Sequence, residues 1–424
     1  MKLETLAIHA GFQPDPTTKA VATPIYQTTS FAFDSTQHGA DLFDLKVPGN
    51  IYTRIMNPTQ DVLEQRVAAM EGGVAALAFA SGMAAITASI QTLARAGDNI
   101  VSVSKLYGGT YNLFAHTFPQ QGLEVRFAAP EDVDGLAALI DDNTKAVFCE
   151  SIGNPAGNIV DIGALAQAAH SKGVPLIVDN TVATPALCKP IEHGADIVVH
   201  SLTKYMGGHG TSVGGIVVDS GTFPWAENAK RFPAFNQPDP SYHGVVYTEA
   251  FGPAAYIGRC RVVPLRNMGA AISPLNAFQI MQGIETLSLR MERHCQNAKA
   301  VAEHLKKHPA VEWVNYAGLE TDYFYPLAKK YMNGHASGIL SFGIKGGAAA
   351  GAKFIDALQL VVRLVNIGDA KSLACHPATT THRQLNEEEL KAAGVGADMV
   401  RLSIGIEHID DIIADIDQAL AAAS

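Results

Sequence analysis

The sequence predicts an α/β protein in which a mainly parallel sheet, covered by helices on both faces, is followed by a smaller α/β unit. Three observations carry that prediction. Through the first half of the chain, short apolar runs alternate with helical stretches of about ten residues, the pattern of a sheet wound with crossover helices. A long helical pattern begins at Ser273-Pro274, an N-cap followed by proline at the first helical position, and continues to about residue 308. Beyond about residue 311, strands and helices mix again and end in an amphipathic stretch over 408–422.

The elements follow in order. Residues 77–80 read as a strand and 83–93 as a helix of small and apolar residues. Residues 100–103 form the next strand, with a helical stretch near 111–118. Strands at 124–128 and 145–149 flank a helix at 133–140, and a helix over 162–170 leads into the apolar run 174–180. The run 195–201 is a further strand. After Asp219 the character changes: residues 220–264 are rich in proline, glycine and aromatics and show no clean period. The helical pattern from 273 fits a connector, with a break inside it left open, and strands are expected at 339–344, 361–365 and 400–404. The chain thus divides into an N-terminal arm (1–60), a large domain (61–270) bearing an insertion (220–264), and a connector helix with a C-terminal domain (271–424). At 424 residues it is long enough to bury roughly three quarters of its unfolded surface.

Composition excludes several classes. Acidic residues outnumber basic ones 41 to 31, for a formal charge of −10, and no basic cluster offsets it, which argues against nucleic-acid binding. The N-terminal residues Met1-Lys2-Leu3-Glu4-Thr5 lack the basic and apolar regions of a signal peptide, and no apolar stretch approaches the roughly 20 residues of a membrane span. Five cysteines, widely spaced and in no CxxC pattern, read as reduced thiols, so a cytoplasmic protein is expected.

The chemistry concentrates at two strand ends. Strand 195–201 opens directly into Leu202-Thr203-Lys204-Tyr205-Met206-Gly207-Gly208, which delivers an amine to the mouth of the sheet beside the hydroxyls of Ser201 and Thr203. A lysine after a strand is ordinarily a surface residue. Here, however, the strand before it in the sequence ends in Asp179, and ligands of open α/β sheets bind outside the carboxyl ends of strands. An amine that forms a Schiff base, hydroxyls for a phosphate, and a carboxylate to keep a pyridine nitrogen protonated are the parts that pyridoxal phosphate requires.

Other residues are compatible with that reading. Gly82 and Met83 lie between a strand and a helix, where backbone N–H groups can hold phosphate, although an ordinary tight turn has the same look. Tyr107, ahead of Gly108-Gly109, can stack on a cofactor ring or simply pack in the core. Arg401 is a charge inside the apolar run 399–405, suited to a bidentate carboxylate ligand or to a structural ion pair. The glycines at 207, 208, 210, 214 and 215 do not have dinucleotide GxGxxG spacing, and His376 and His382 have no HExxH or cysteine context for a metal. No metal site is expected.

Taken together, Ser201-Leu202-Thr203-Lys204-Tyr205, Asp179, Ala80-Ser81-Gly82-Met83, Tyr107-Gly108-Gly109 and Tyr52-Thr53-Arg54 resemble the pyridoxal-phosphate enzymes of cysteine and methionine metabolism. The resemblance runs from Ile8-His9-Ala10-Gly11 to Arg401. Three features resemble the sulfhydrylase branch: the aromatic insertion with Pro238-Asp239-Pro240-Ser241-Tyr242-His243-Gly244, the stretch 276–293, and His376-Pro377-Ala378-Thr379-Thr380-Thr381-His382.

The resemblance implies a fold-type I transferase with a seven-stranded large-domain sheet and a set of roles. Lys204 would carry pyridoxal 5'-phosphate, Asp179 would pair with the ring nitrogen, and Tyr107 would stack on the ring. Gly82, Met83, Ser201 and Thr203 would hold the phosphate, joined by Tyr52 and Arg54 from a neighbouring subunit, in a homotetramer of dimers that share active sites. Asn154, Arg401 and Ser372 would bind the substrate, although Ser372-Leu373-Ala374-Cys375 lacks the double glycine that several relatives carry after Ser-Leu. Lys204, Tyr107 and Tyr52 would be the proton-transfer residues. The implied reaction is γ-replacement of acetate in O-acetylhomoserine by sulfide or methanethiol. A γ-lyase or a cystathionine γ-synthase would use the same residues, and a catalytically silent binding protein of this fold is the alternative from another class.

Overall fold

A computed structural model of the chain describes residues 1–44, 46–377, 380 and 395–423. His382 and most of 378–394 lie outside the described residues, as does the second half of the His376–His382 motif.

Seven strands form the first sheet: β1 (Ala75–Phe79), β2 (Asn99–Val103), β3 (Glu124–Ala128), β4 (Thr144–Glu150), β5 (Leu176–Asp179), β6 (Ile197–Ser201) and β7 (Gly215–Asp219). Their order is β1-β7-β6-β5-β4-β2-β3. β6, β5, β4, β2 and β3 run parallel, and β7 is antiparallel to both β1 and β6. β2, β6 and β7 are buried almost throughout, which is why they read as unbroken apolar runs rather than alternating ones.

The sequence reading assigned no strand to 215–219. An antiparallel return needs no crossover helix, so the 202–214 segment is a loop that doubles back over the carboxyl end of β6. The glycines that disguised β7 as loop are the consequence. That doubling back fixes Lys204 at the sheet edge.

The register brings the strand ends together: Glu150 of β4 pairs with Asp179 of β5, and Asp179 with Val199 of β6. Behind them, the buried Glu71 carboxylate is hydrogen-bonded to His200 Nε2 at 2.6 Å and accepts from Asn180 Nδ2 at 2.9 Å. One carboxyl group thus ties the ends of β5 and β6 to the helix Pro58–Glu71.

The second sheet contains β8 (Val311–Asn315), β9 (Ile339–Ile344), β10 (Val362–Arg363), β11 (Leu373–Cys375) and β12 (Met399–Ser403), in the order β10-β11-β12-β9-β8. The connector consists of two helices, Pro274–Glu285 and Leu287–Leu305, broken at Thr286. Ser273 caps the first by accepting from the Asn276 N–H at 3.1 Å, as its sequence position implies.

Residues 220–264 are not a loose loop. Phe223, Trp225, Phe232, Phe235 and Tyr256 are buried as one aromatic cluster, with Trp225 stacked on Phe235 at 4.6 Å. Such pairs contribute about 0.5–1.5 kcal/mol each beyond their buried area. The Tyr256 hydroxyl donates to the Ser89 carbonyl at 3.0 Å, anchoring the cluster to the helix Gly82–Gln91. Because the helices here are only four to six residues long and meet ring to ring, no helical period is visible in the sequence.

Candidate active site

The carboxyl ends of β4, β5 and β6 open into a cavity of about 220 Å³, lined on another side by Arg401 of the second sheet and by Val365, Asn366 and Ile367 between β10 and β11. Most of the residues anticipated from sequence line it: Gly82, Met83, Tyr107, Asn154, Asp179, Ser201, Thr203, Lys204 and Arg401.

Lys204 is held by the loop that follows β6. Its N–H donates to the Ser201 carbonyl at 3.2 Å, and its own carbonyl accepts from the Gly208 N–H at 2.8 Å. From the connector, the buried Arg290 donates to the carbonyls of Tyr205 at 2.7 Å and Met206 at 3.3 Å, pinning the loop from outside. Gly208 is required here: it has φ +70°, and a Cβ would lie 2.1 Å from Arg290 Nη1. The Lys204 amine donates to Asn366 Oδ1 at 2.5 Å. Burial first, and then the positive charge of Arg401, push its ammonium down to about 8. Its neutral, nucleophilic form is therefore accessible near physiological pH.

Asp179 ends β5, and its Oδ1 accepts from the Thr181 N–H at 2.9 Å. Burial raises its pKa, opposed by the Thr181 hydrogen bonds. Glu150 stands beside it and is pushed well above the usual carboxylate range by burial and by Asp179. Two adjacent buried carboxylates are costly, and a protonated ring nitrogen facing them would relieve that cost.

At the opposite wall Ser81 caps the helix Gly82–Gln91, its hydroxyl accepting from the Ala84 N–H at 3.1 Å. Gly82 and Met83 occupy the first turn, where N–H groups have no partner within the helix, and both line the cavity. A Cβ on Gly82 would lie 2.5 Å from Ser201 Cβ, so only glycine lets the helix start approach the β6 end this closely. Thr181 completes the wall, its hydroxyl accepting from the Ser201 N–H at 2.8 Å. Helix amides, two cavity-lining hydroxyls, a lysine and a carboxylate suit a phosphorylated pyridine aldehyde.

Arg401 reaches the cavity from β12 of the second sheet. It donates through Nη1 to Asn154 Oδ1 and through Nη2 to the Asn366 carbonyl, both at 3.0 Å. Lys204, Asn366, Arg401 and Asn154 thus form a continuous chain across the two sheets.

Ser372 is not brought to the cavity. Its hydroxyl donates to Glu407 Oε2 at 2.9 Å and accepts from the Gly405 N–H at 2.8 Å, and its N–H donates to Glu407 Oε1, so it is committed to holding the start of β11. The position expected of it is occupied by Asn366, six residues earlier. Tyr52 and Arg54 also lie outside the cavity of their own chain: Tyr52 is 40% exposed, and Arg54 packs over it and donates to the Arg266 carbonyl.

Sequence reasoning missed Glu150, Thr181 and Asn366. Glu150 carried the same signal as Asp179, an apolar strand ending in a carboxylate. Thr181 carried a hydroxyl two residues after Asp179. Asn366 lies in an irregular segment and carried no local signal.

The family described as Cys/Met metabolism PLP-dependent enzyme matches residues 4–421 of the chain. The chain belongs to that family. It is 55% identical to homocysteine synthase of Schizosaccharomyces pombe, covering 99% of this chain and 98% of that one. It is 54% identical to O-acetyl-L-homoserine sulfhydrylase of Leptospira meyeri, covering 99% and 96%. A Campylobacter jejuni structure, described as a candidate O-acetylhomoserine (thiol)-lyase and carrying N'-pyridoxyl-lysine-5'-monophosphate, superposes with a TM-score of 0.97 at 44% identity, covering 99% of this chain and all of that one. The chain is therefore a pyridoxal-phosphate-dependent enzyme of the fold that its sheet order displays.

Proposed function

We propose that this enzyme catalyses γ-replacement: O-acetyl-L-homoserine and sulfide give L-homocysteine and acetate, in methionine biosynthesis. The Lys204–Asn366–Arg401–Asn154 chain, ending at the Asp179 carboxylate's cavity, carries the reading, because it sets an amine base beside an amino-acid carboxylate site. The names of the relatives support the choice of substrate.

Lys204 would hold the cofactor, Asp179 would pair with the ring nitrogen, Tyr107 would stack on the ring, and Gly82, Met83, Ser201 and Thr203 would hold the phosphate. When bound, pyridoxal phosphate supplies an electron sink for the bond electrons of the substrate's Cα. Arg401 and Asn154 bind the α-carboxylate and so aim the Cα–H at the Lys204 amine. The Lys204 amine, which when free donates to Asn366 Oδ1, would take the Cα proton and return a proton at the end of the cycle. Between these events the Cγ–O bond to acetate breaks and a Cγ–S bond forms, with Tyr107 or a neighbour's Tyr52 assisting proton transfer. The same reading makes residues 1–60 an arm that carries Tyr52 and Arg54 to an adjacent subunit's phosphate, 61–270 the cofactor domain, and 271–424 the connector and C-terminal domain. It also implies a homotetramer of site-sharing dimers in the cytoplasm. Among the described residues no helix is long and apolar enough to cross a membrane.

Two results are expected. Arg401→Ala should raise KM for O-acetylhomoserine by about 10–100-fold, the loss of a charge-assisted carboxylate contact, with kcat less affected; an unchanged KM would remove Arg401 from the carboxylate site. A base must be unprotonated, so kcat should rise with pH through a limb near 8, the value at which the Lys204 ammonium loses its proton. A kcat flat between pH 6.5 and 9 would contradict Lys204 as base. The reaction itself is tested by mixing the purified enzyme with O-acetylhomoserine and excess sulfide. Homocysteine and acetate are expected, and dominant 2-oxobutyrate and ammonia would identify a γ-lyase instead.

A further inference from the structure

Glu150 is 4% exposed, lies at the cavity floor, and has no part in the mechanism above. Its two oxygens hold two different parts of the site. Oε1 accepts from the Tyr107 N–H at 2.7 Å, and Oε2 accepts from the Asn154 N–H at 3.4 Å. Tyr107 follows β2 and opens the short helix Gly108–Asn112, whereas Asn154 lies in the loop that follows β4. The carboxylate spans these two segments. Burying a carboxylate beside Asp179 is unfavourable, and a buried pair of amide N–H donors can be met by water or a neutral side chain instead. The cost is offset when a ring cation faces the two strand ends.

We propose that Glu150 is a positioning residue that couples the ring-stacking tyrosine to the asparagine of the α-carboxylate site, so that ring placement and amino-acid binding are set by one carboxylate. Through Asn154 the coupling extends to Arg401, and through Tyr107 to the face of the ring. The inference rests on reading the cavity as the cofactor and amino-acid site.

Its test uses the cofactor-loaded enzyme and L-norvaline, an amino acid with no leaving group at Cγ. Binding is read from the visible absorbance of the bound cofactor, and ring placement from the cofactor's induced circular dichroism. Glu150→Gln keeps the size of the side chain but replaces one acceptor by an amide nitrogen; Glu150→Asp keeps the charge but is too short to reach both N–H groups. Each variant is expected to bind norvaline about tenfold more weakly, the loss of one charge-assisted hydrogen bond, and to show a reduced induced signal. A purely structural role would lower thermal stability and leave both readouts at the wild-type value in whichever variant folds; that result overturns the proposal. If the wild-type enzyme loads cofactor but binds norvaline without using Arg401, judged with Arg401→Ala, the carboxylate-site reading fails and this inference with it.

Discussion

Lys204→Ala is expected to lower turnover by about a thousandfold or more while the protein stays folded. On the proposed reading the substitution removes two functions at once, the nucleophile that anchors the cofactor and the base that works at Cα, and general-base catalysis alone contributes about 10²–10⁴-fold. The fold should tolerate it. Among the described residues the Lys204 amine contacts Asn366, and the loop around it is held through backbone carbonyls by Arg290 rather than by the lysine side chain. Specific activity alongside far-ultraviolet circular dichroism separates loss of chemistry from loss of structure. Turnover within tenfold of wild type would place the catalytic amine elsewhere.

The second large effect is expected at Asp179. Asp179→Asn removes the negative charge proposed to face the ring nitrogen but keeps an oxygen that can accept from the Thr181 N–H. Without the carboxylate the nitrogen proton loses an opposite charge within about 4–6 Å, and the electron sink weakens. A fall in kcat of about a hundredfold is expected, comparable to removing one preorganised electrostatic contact from an active site. Glu150 stands beside Asp179, and it would supply part of the missing charge; a double variant should fall further than either single one. Near-wild-type kcat in Asp179→Asn at saturating cofactor would mean that the ring nitrogen does not face β5.

Much of this site could be read from the sequence because strand ends are local features. An apolar run closed by aspartate, another closed by serine and followed by lysine, and a strand–Ser–Gly–helix junction each appear within a few residues. Parallel pairing then brings them to one edge. Glu150 was equally legible by that logic, and was passed over because its role depends on which amides it reaches rather than on its position. Asn366 and Ser372 show where the local signal ends. Both lie in irregular chain before or at β11, and only the tertiary path decides that Asn366 meets Lys204 while Ser372 turns to Glu407. β7 was hidden for a related reason: its neighbours in sequence are glycines, and of its two pairing partners, both earlier in the chain, β1 lies about 140 residues back and β6 one loop back. Residues 220–264 stand apart by composition, but their packing, ring against ring on short helices, leaves no period to read.

The central claim is that Lys204 carries the cofactor with Asp179 at its ring nitrogen, and borohydride trapping tests it most directly. The loaded enzyme is reduced, digested, and mapped by mass spectrometry for a pyridoxyl-phosphate adduct. The account predicts one stoichiometric adduct, on the peptide containing Ser201-Leu202-Thr203-Lys204 and located on Lys204. An adduct on another lysine, or none in an enzyme that still turns over O-acetylhomoserine, would contradict it.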